Sequence, residues 1–174
     1  MEHKENKIDL FEVQNMLEWL KKKIYLNTIV NKAKKRIFRR GEVYLCDFGV
    51  GVGSEIRKNR PCVIIQGNVG NIHSSNVIVA PITHTEKDIP SVCKIETQIN
   101  LNDNTVILNG YINLSNIQTV SKARLGDFVT KLTNSDIVNM DNAILVSLGL
   151  IKQFKELNNK IEKQAKYIEK LKNN

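Results

Sequence analysis

The segment Gly53-Ser54-Glu55-Ile56-Arg57-Lys58-Asn59-Arg60-Pro61 holds the densest set of side chains able to do chemistry. Arg57, Lys58 and Arg60 place three cations within four residues, just after a single carboxylate, Glu55. Pro61 restricts Arg60 to an extended conformation, and the apolar run Cys62-Val63-Ile64-Ile65 that follows reads as a strand. A guanidinium held at the start of a strand can address a phosphate through two parallel hydrogen bonds. A solvated loop would have the same composition, so the segment alone leaves both readings open.

Other chemistries find less support. His73, His84, Cys46, Cys62 and Cys93 have no metal-ligand spacing, and no metal or other cofactor is expected. Cys62 lies inside an apolar strand and reads as a small core residue. Three cysteines without a CxxC pair fit a reducing cytoplasm. The stretch Gly49-Val50-Gly51-Val52-Gly53-Ser54 lacks the Gly-Lys-Ser/Thr of a phosphate loop and reads as a flexible connection.

These residues need elements to position them, and the 174-residue chain divides into three segments. Residues 7–38 read as a helix capped by Asp9, with an apolar stripe of Leu10, Val13, Leu17, Leu20 and Ile24 and a possible break near Asn27-Thr28. Residues 41–132 read as short strands. Thr105-Val106-Ile107-Leu108 and Tyr111-Ile112-Asn113-Leu114 flank Asn109-Gly110, the pattern of a hairpin. Strands at this spacing predict a small barrel or a strongly curved sheet. Residues 134–172 return to helix, capped by Asn134 or Ser135. Beyond Gly149, Leu150, Phe154, Leu157, Ile161, Gln164, Ile168 and Leu171 form an a/d seam with one polar break. That seam suits either a helix packed on its own core or a coiled coil, with the N-terminal stripe as one partner.

The net charge of +8 follows the same division. Residues 1–40 carry 11 basic and five acidic side chains, and residues 149–174 carry seven and three, while the middle is slightly acidic. A basic nucleic-acid footprint therefore belongs to the flanks and not to the middle. The hydrophobic content of 41% is enough for a packed core and excludes wholesale disorder. No run of 18 apolar residues exists, and the opening MEHKENKIDL has no apolar signal region, so neither a membrane span nor secretion is expected.

The middle segment resembles the MazF/PemK family of toxin endoribonucleases. Five stretches carry the resemblance in order: Arg40-Gly41-Glu42-Val43-Tyr44; Gly53-Ser54-Glu55 followed by Arg60-Pro61-Cys62-Val63-Ile64-Ile65-Gln66; Gly70-Asn71 with Val77-Ile78-Val79-Ala80-Pro81-Ile82-Thr83; Ile117-Gln118-Thr119-Val120-Ser121-Lys122-Ala123-Arg124-Leu125; and Asp141-Asn142-Ala143-Ile144 with Ser147-Leu148-Gly149-Leu150. The resemblance covers roughly residues 39–150. It implies an α+β fold with a small SH3-like barrel and a packed C-terminal helix, flanked here by helical arms at 1–38 and 151–174. It implies a cytoplasmic toxin of a type II toxin-antitoxin system that cleaves single-stranded RNA without a metal. Implied partners are a second copy of the chain and an antitoxin with an acidic or disordered C-terminal segment, with DNA met only through the antitoxin complex. Nothing in this reading calls for a membrane partner.

The family's catalytic pair falls on Arg60 and Thr83. The implied reaction is attack of the ribose 2′-OH on the adjacent phosphate, giving a 2′,3′-cyclic phosphate and a 5′-OH. The substrate supplies the nucleophile, so the protein must stabilise charge and move two protons. Arg60 suits the first task and Thr83 can donate a hydrogen bond to a phosphoryl oxygen. Guanidinium rarely gives up its proton, so the base is left open between Glu55 and His84. RNA-facing residues fall on Ser54, Arg57 and Lys58 before Arg60, and on Gln118, Lys122 and Arg124. Gln118 stands where the family has arginine, and Ser115-Asn116 where it has Glu-Gln. Two other readings keep the same fold: a non-catalytic gyrase-binding toxin similar to CcdB, or a degenerate RNA-binding member. CcdB toxins use a tryptophan near the C-terminus, whereas the single tryptophan here is Trp19.

Overall fold

The computed structural model describes residues 9–172. The first helix, α1, spans Leu10–Ala33. Asp9 caps it, its carboxylate accepting a hydrogen bond from the Phe11 amide at 2.9 Å. Residues 7 and 8 of the expected helix lie outside the described residues. The expected break at Asn27-Thr28 does not occur. The Thr28 hydroxyl instead donates to the Tyr25 carbonyl one turn back, at 2.7 Å, and the helix runs on. It ends at Ala33, and Arg36 just beyond it donates to the carbonyls of Leu125 and Gly126.

The orientation of α1 differs from the one the stripe predicts. Leu10, Val13, Leu17, Leu20 and Ile24 face solvent and are 37 to 80% exposed. The surface beneath the helix is polar, so a mixed face docks instead. Lys22 pairs with Asp47, Arg57 lies 3.6 Å from Glu12, and Trp19 lies under the guanidinium of Arg124 at 5.0 Å.

Strands follow: β1 (Glu42–Asp47), β2 (Asn59–Ile64), β3 (Asn76–Thr83), β4 (Val92–Lys94), β5 (Gln98–Ile99), β6 (Val106–Leu108), β7 (Tyr111–Asn113), β8 (Gln118–Ser121) and β9 (Leu125–Lys131). A short helix, α2 (Asn68–His73), links β2 to β3. Seven strands form one antiparallel sheet in the order β4-β7-β3-β2-β1-β9, with β8 pairing beside β7 on β3. The expected barrel is not closed. The ladder ends at β4 and β9, and the ribbon of β5 and β6 leans on β9 through the Gln98 side chain, which donates to the Lys131 carbonyl at 3.2 Å.

The expected Asn109-Gly110 hairpin is likewise absent. β6 pairs with β5, whereas β7 pairs with β3 and β4, so the two runs enter different sheets.

The sheet is buried on both faces, which is why β2 and β3 read as continuous apolar runs rather than alternating ones. One face carries Val43, Val63, Ala80 and Ile82, and the other carries Cys46, Cys62, Val77 and Val79. Helix α3 (Asn134–Ser147) covers the first face with Met140 and Ala143. Its cap is Thr133 rather than Asn134 or Ser135. Thr133 and Asp136 form a reciprocal capping box, and Asp136 also accepts the Glu96 amide at 3.0 Å. Gly149, at φ 71°, ends α3, and α4 (Ile151–Lys172) begins just after it. No residue of α4 is buried, and the apolar members of its seam are 44 to 61% exposed.

Candidate active site

Arg60 sits in β2 and Thr83 ends β3. The two strands are antiparallel, with Cys62 opposite Pro81 and Ile64 opposite Val79. Side chains alternate along a strand, so Arg60 shares a face with Cys62 and Ile64, and Thr83 shares it with Val79 and Pro81. Carried two residues further, the same register sets Arg60 across from Thr83. Both residues then stand where the second core cluster gives way to the surface, and both are part-buried. The Arg60 Nε donates to the Arg57 carbonyl at 2.9 Å. Among the described residues its two Nη groups make no hydrogen bond, so they can receive a phosphate. The Thr83 hydroxyl makes only a long contact, 3.4 Å, to the Thr85 carbonyl.

Thr83 is fixed from the opposite side by β7, where Tyr111 pairs with it. Gly110 precedes that pair at φ 129°, a value that L side chains rarely adopt. A Cβ there would lie 2.6 Å from the Thr83 carbonyl oxygen. The turn signal at Asn109-Gly110 therefore marks a close approach to Thr83 and not a hairpin. Tyr111 is a residue that the sequence reading did not single out for the site. Burial, reinforced by the Glu86 carboxylate, raises its hydroxyl pKa.

The loop between β1 and β2 closes through two backbone bonds, Phe48 amide to Lys58 carbonyl at 3.0 Å and Lys58 amide to Gly49 carbonyl at 2.8 Å. Lys58 takes a left-handed conformation, φ 67°, to make them. Ser54 and Lys58 are exposed on this loop. Arg57 donates to the Gly53 carbonyl and leans toward Glu12 of α1. The Glu55 carboxylate accepts the Val52 amide at 2.9 Å, so it already has a loop-closing task. His84 is exposed in a bend just past the end of β3.

Of the other expected RNA contacts, Lys122 is withdrawn from the surface, whereas Gln118 and Arg124 are part-buried. Lys122 is 1% exposed, and its ammonium donates to the Asn71 carbonyl at 2.6 Å beneath the Phe38 ring. It is a structural cation, out of reach of RNA, and burial lowers its pKa. Arg124 donates to the carbonyls of Asp47 and Phe48 at 3.2 and 3.1 Å and props the root of the β1–β2 loop. Gln118 pairs with Val79 in the ladder and stays part-buried. Among the described residues, no three His, Cys, Asp or Glu side chains come together as a metal site requires. No described helix is long and apolar enough to cross a membrane.

The open curved sheet with a cation at the start of one strand and a hydroxyl at the end of its neighbour has known counterparts. Residues 39–148 match the family described as PemK-like, MazF-like toxins of type II toxin-antitoxin systems, and the chain belongs to that family. It is 42% identical over 117 residues to an endoribonuclease MazF of Staphylococcus epidermidis, covering 66% of this chain and 93% of the relative. An endoribonuclease from a mycobacterial species, solved in complex with its cognate antitoxin, superimposes with a TM-score of 0.55 at 30% identity. That match covers 65% of this chain and 96% of the other. A MazF from Deinococcus radiodurans shares the fold at 14% identity, with a TM-score of 0.55 over 66% of this chain and 98% of that one. The protein is thus a MazF-type toxin and an endoribonuclease.

Proposed function

We propose that this endoribonuclease cleaves single-stranded RNA at the Arg60–Thr83 face, using the ribose 2′-OH as nucleophile. The observation that supports this is the antiparallel register of β2 and β3, which, carried two residues on, sets Arg60, its two Nη groups without a hydrogen bond among the described residues, across from the weakly held Thr83 hydroxyl. As the 2′-oxygen bonds to phosphorus, negative charge grows on the phosphoryl oxygens. The Arg60 Nη groups and the Thr83 hydroxyl donate to those oxygens. The bond from phosphorus to the 5′-oxygen breaks, leaving a 2′,3′-cyclic phosphate, and that oxygen takes up a proton. DNA lacks the 2′-OH and is spared without any reading of bases. The base that deprotonates the 2′-OH is unassigned. Glu55 would have to leave the Val52 amide to serve, and His84 would act from the bend after β3.

In the same reading the chain comprises a toxin domain at 39–150 with helical arms at 1–38 and 151–174, acts in the cytoplasm, and forms a homodimer. The antitoxin is an acidic or disordered segment that competes for the RNA face, and DNA is met only through the antitoxin complex. The exposed seam of α4 is suited to pair with another helix as a coiled coil.

The test is cleavage of a long RNA containing single-stranded regions, in excess EDTA, with the cut ends mapped. Discrete cuts bearing cyclic-phosphate ends, lost in Arg60→Ala and Thr83→Ala variants of unchanged melting temperature, are expected. Intact RNA from folded, antitoxin-free protein would sink the reading. It would leave the gyrase-binding and RNA-binding alternatives in its place.

A further inference from the structure

α1 precedes the family-matched residues 39–148, yet it forms one wall of a groove of about 710 Å³ whose lining reaches Asn59, the residue before Arg60. The opposite wall is the β1–β2 loop, including Lys58 and Asn59, the residues immediately before Arg60. Phe11, Trp19 and Tyr25 line the groove from α1. Their spacing keeps them on one side of the helix, spread along ~21 Å of its axis. Phe11 is 68% and Tyr25 60% exposed, so these rings do not serve the core. Trp19 is held by the Arg124 guanidinium and lies so close to Gly49 that a Cβ there would overlap its ring.

The charges in the groove are partly spent on each other. Glu12 faces Arg57, and Asp47 holds Lys22. Lys21 and Lys58 line the groove without an ion pair among the described residues, against one further acid, Glu18. Aromatic faces interleaved with unpaired cations are what single-stranded nucleic acid binds: bases stack on the rings, and phosphates meet the ammonium groups. The aliphatic stripe that a partner helix would seek lies on the other side of α1, and this side offers rings and cations.

We propose that this groove is an RNA subsite that takes the bases flanking the scissile phosphate. Phe11 and Tyr25 act as stacking platforms on either side of the wedged Trp19, and Lys21 and Lys58 contact the phosphates. The proposal rests on cleavage occurring at Arg60. It extends the substrate contact to a helix outside the matched domain and makes α1 a determinant of which RNA sites are cut.

Trp19 is the only tryptophan in the chain, so its fluorescence reports on the groove alone. The probe is a 2′-O-methyl RNA single strand of about ten nucleotides, which resists cleavage and spans a typical single-strand site. Saturable change in Trp19 emission is expected, weakening as salt rises. In cleavage assays, Phe11→Ala and Tyr25→Ala should each cut the preference for a long over a dinucleotide-length substrate about tenfold, mainly through KM. Leu17→Ala, on the outward face, should keep the wild-type preference. Unchanged Trp19 emission while the probe binds, as followed by anisotropy, would overturn the proposal. So would wild-type preference in both aromatic variants. Emission that responds to an acidic peptide but not to RNA would reassign the groove to a protein partner. Failure of the cleavage reading is separate: Arg60→Ala would then cut RNA normally, whatever Trp19 reports.

Discussion

Gly110 lies against the carbonyl of Thr83, with room for a hydrogen on its Cα but not for a methyl group. The end of β3 therefore depends on a residue 27 positions later in the chain, which has no functional group of its own. Gly110→Ala must relieve both a clash and a φ of 129°, at a cost of about 1–3 kcal/mol. The expected outcome is a lower melting temperature together with a fall in kcat at temperatures where the variant is fully folded. A kcat that tracks only the folded fraction would separate Gly110 from the site.

Arg60 offers two Nη groups in a fixed plane, and lysine cannot reproduce that geometry with one ammonium. Arg60→Lys keeps the charge, so RNA binding should change little while kcat falls about a hundredfold. Single-turnover cleavage against direct binding of a 2′-O-methyl strand separates the two quantities.

Lys122 stands in a stretch of residues that fits RNA contact, yet its ammonium is sealed under Phe38 and bonded to Asn71. Lys122→Met leaves the Asn71 carbonyl without its donor, which costs about 1–3 kcal/mol of stability. The salt dependence of RNA binding should be unchanged, because no phosphate contact is lost. A shallower salt slope in this variant would return Lys122 to the RNA surface.

Burial, with the Asp136 carboxylate nearby, pushes the Cys93 thiol up to about 11 from its ordinary 9.0. The folded state thus holds the thiol proton more tightly than the unfolded chain does. Its contribution to stability is complete below pH 9 and is lost as pH rises through 11. Chemical denaturation from pH 8 to 11 should show a decline of order 1–2 kcal/mol, and Cys93→Ser should remove that part of the decline.

α4 buries none of its residues in the described chain. Deleting residues 151–174 should shift the melting temperature of the remaining protein by only a few degrees and should leave RNA cleavage intact. If the α4 seam pairs with a second copy, sedimentation of the shortened chain will show a lower mass at concentrations where the full chain self-associates. Equal masses would reject that pairing.

Local signals were legible where one residue decides the matter by itself. Asp9 as a cap and Pro61 as the guarantor of an extended Arg60 both follow from their own side chains or backbone. The apolar runs of β2 and β3 announced strands, and family motifs carried on them marked Arg60 and Thr83. What misled was periodicity taken as orientation. The stripe of α1 has the spacing of a core face, yet it points outward, because the surface available to the helix is ionic and carries Asp47, Arg57 and Arg124.

By itself, the sequence determined the apolar runs of β2 and β3, the Asp9 cap and the residue types able to handle a phosphate, since these depend on neighbours a few positions away. Tertiary structure alone decided which residues meet. The β2–β3 register set Arg60 across from Thr83, Gly110 closed on Thr83 from the turn that leads into β7, and packing under Phe38 withdrew Lys122 from solvent. Pairing between distant strands depends on burial and hydrogen bonding summed over the whole sheet, and no local pattern carries that sum.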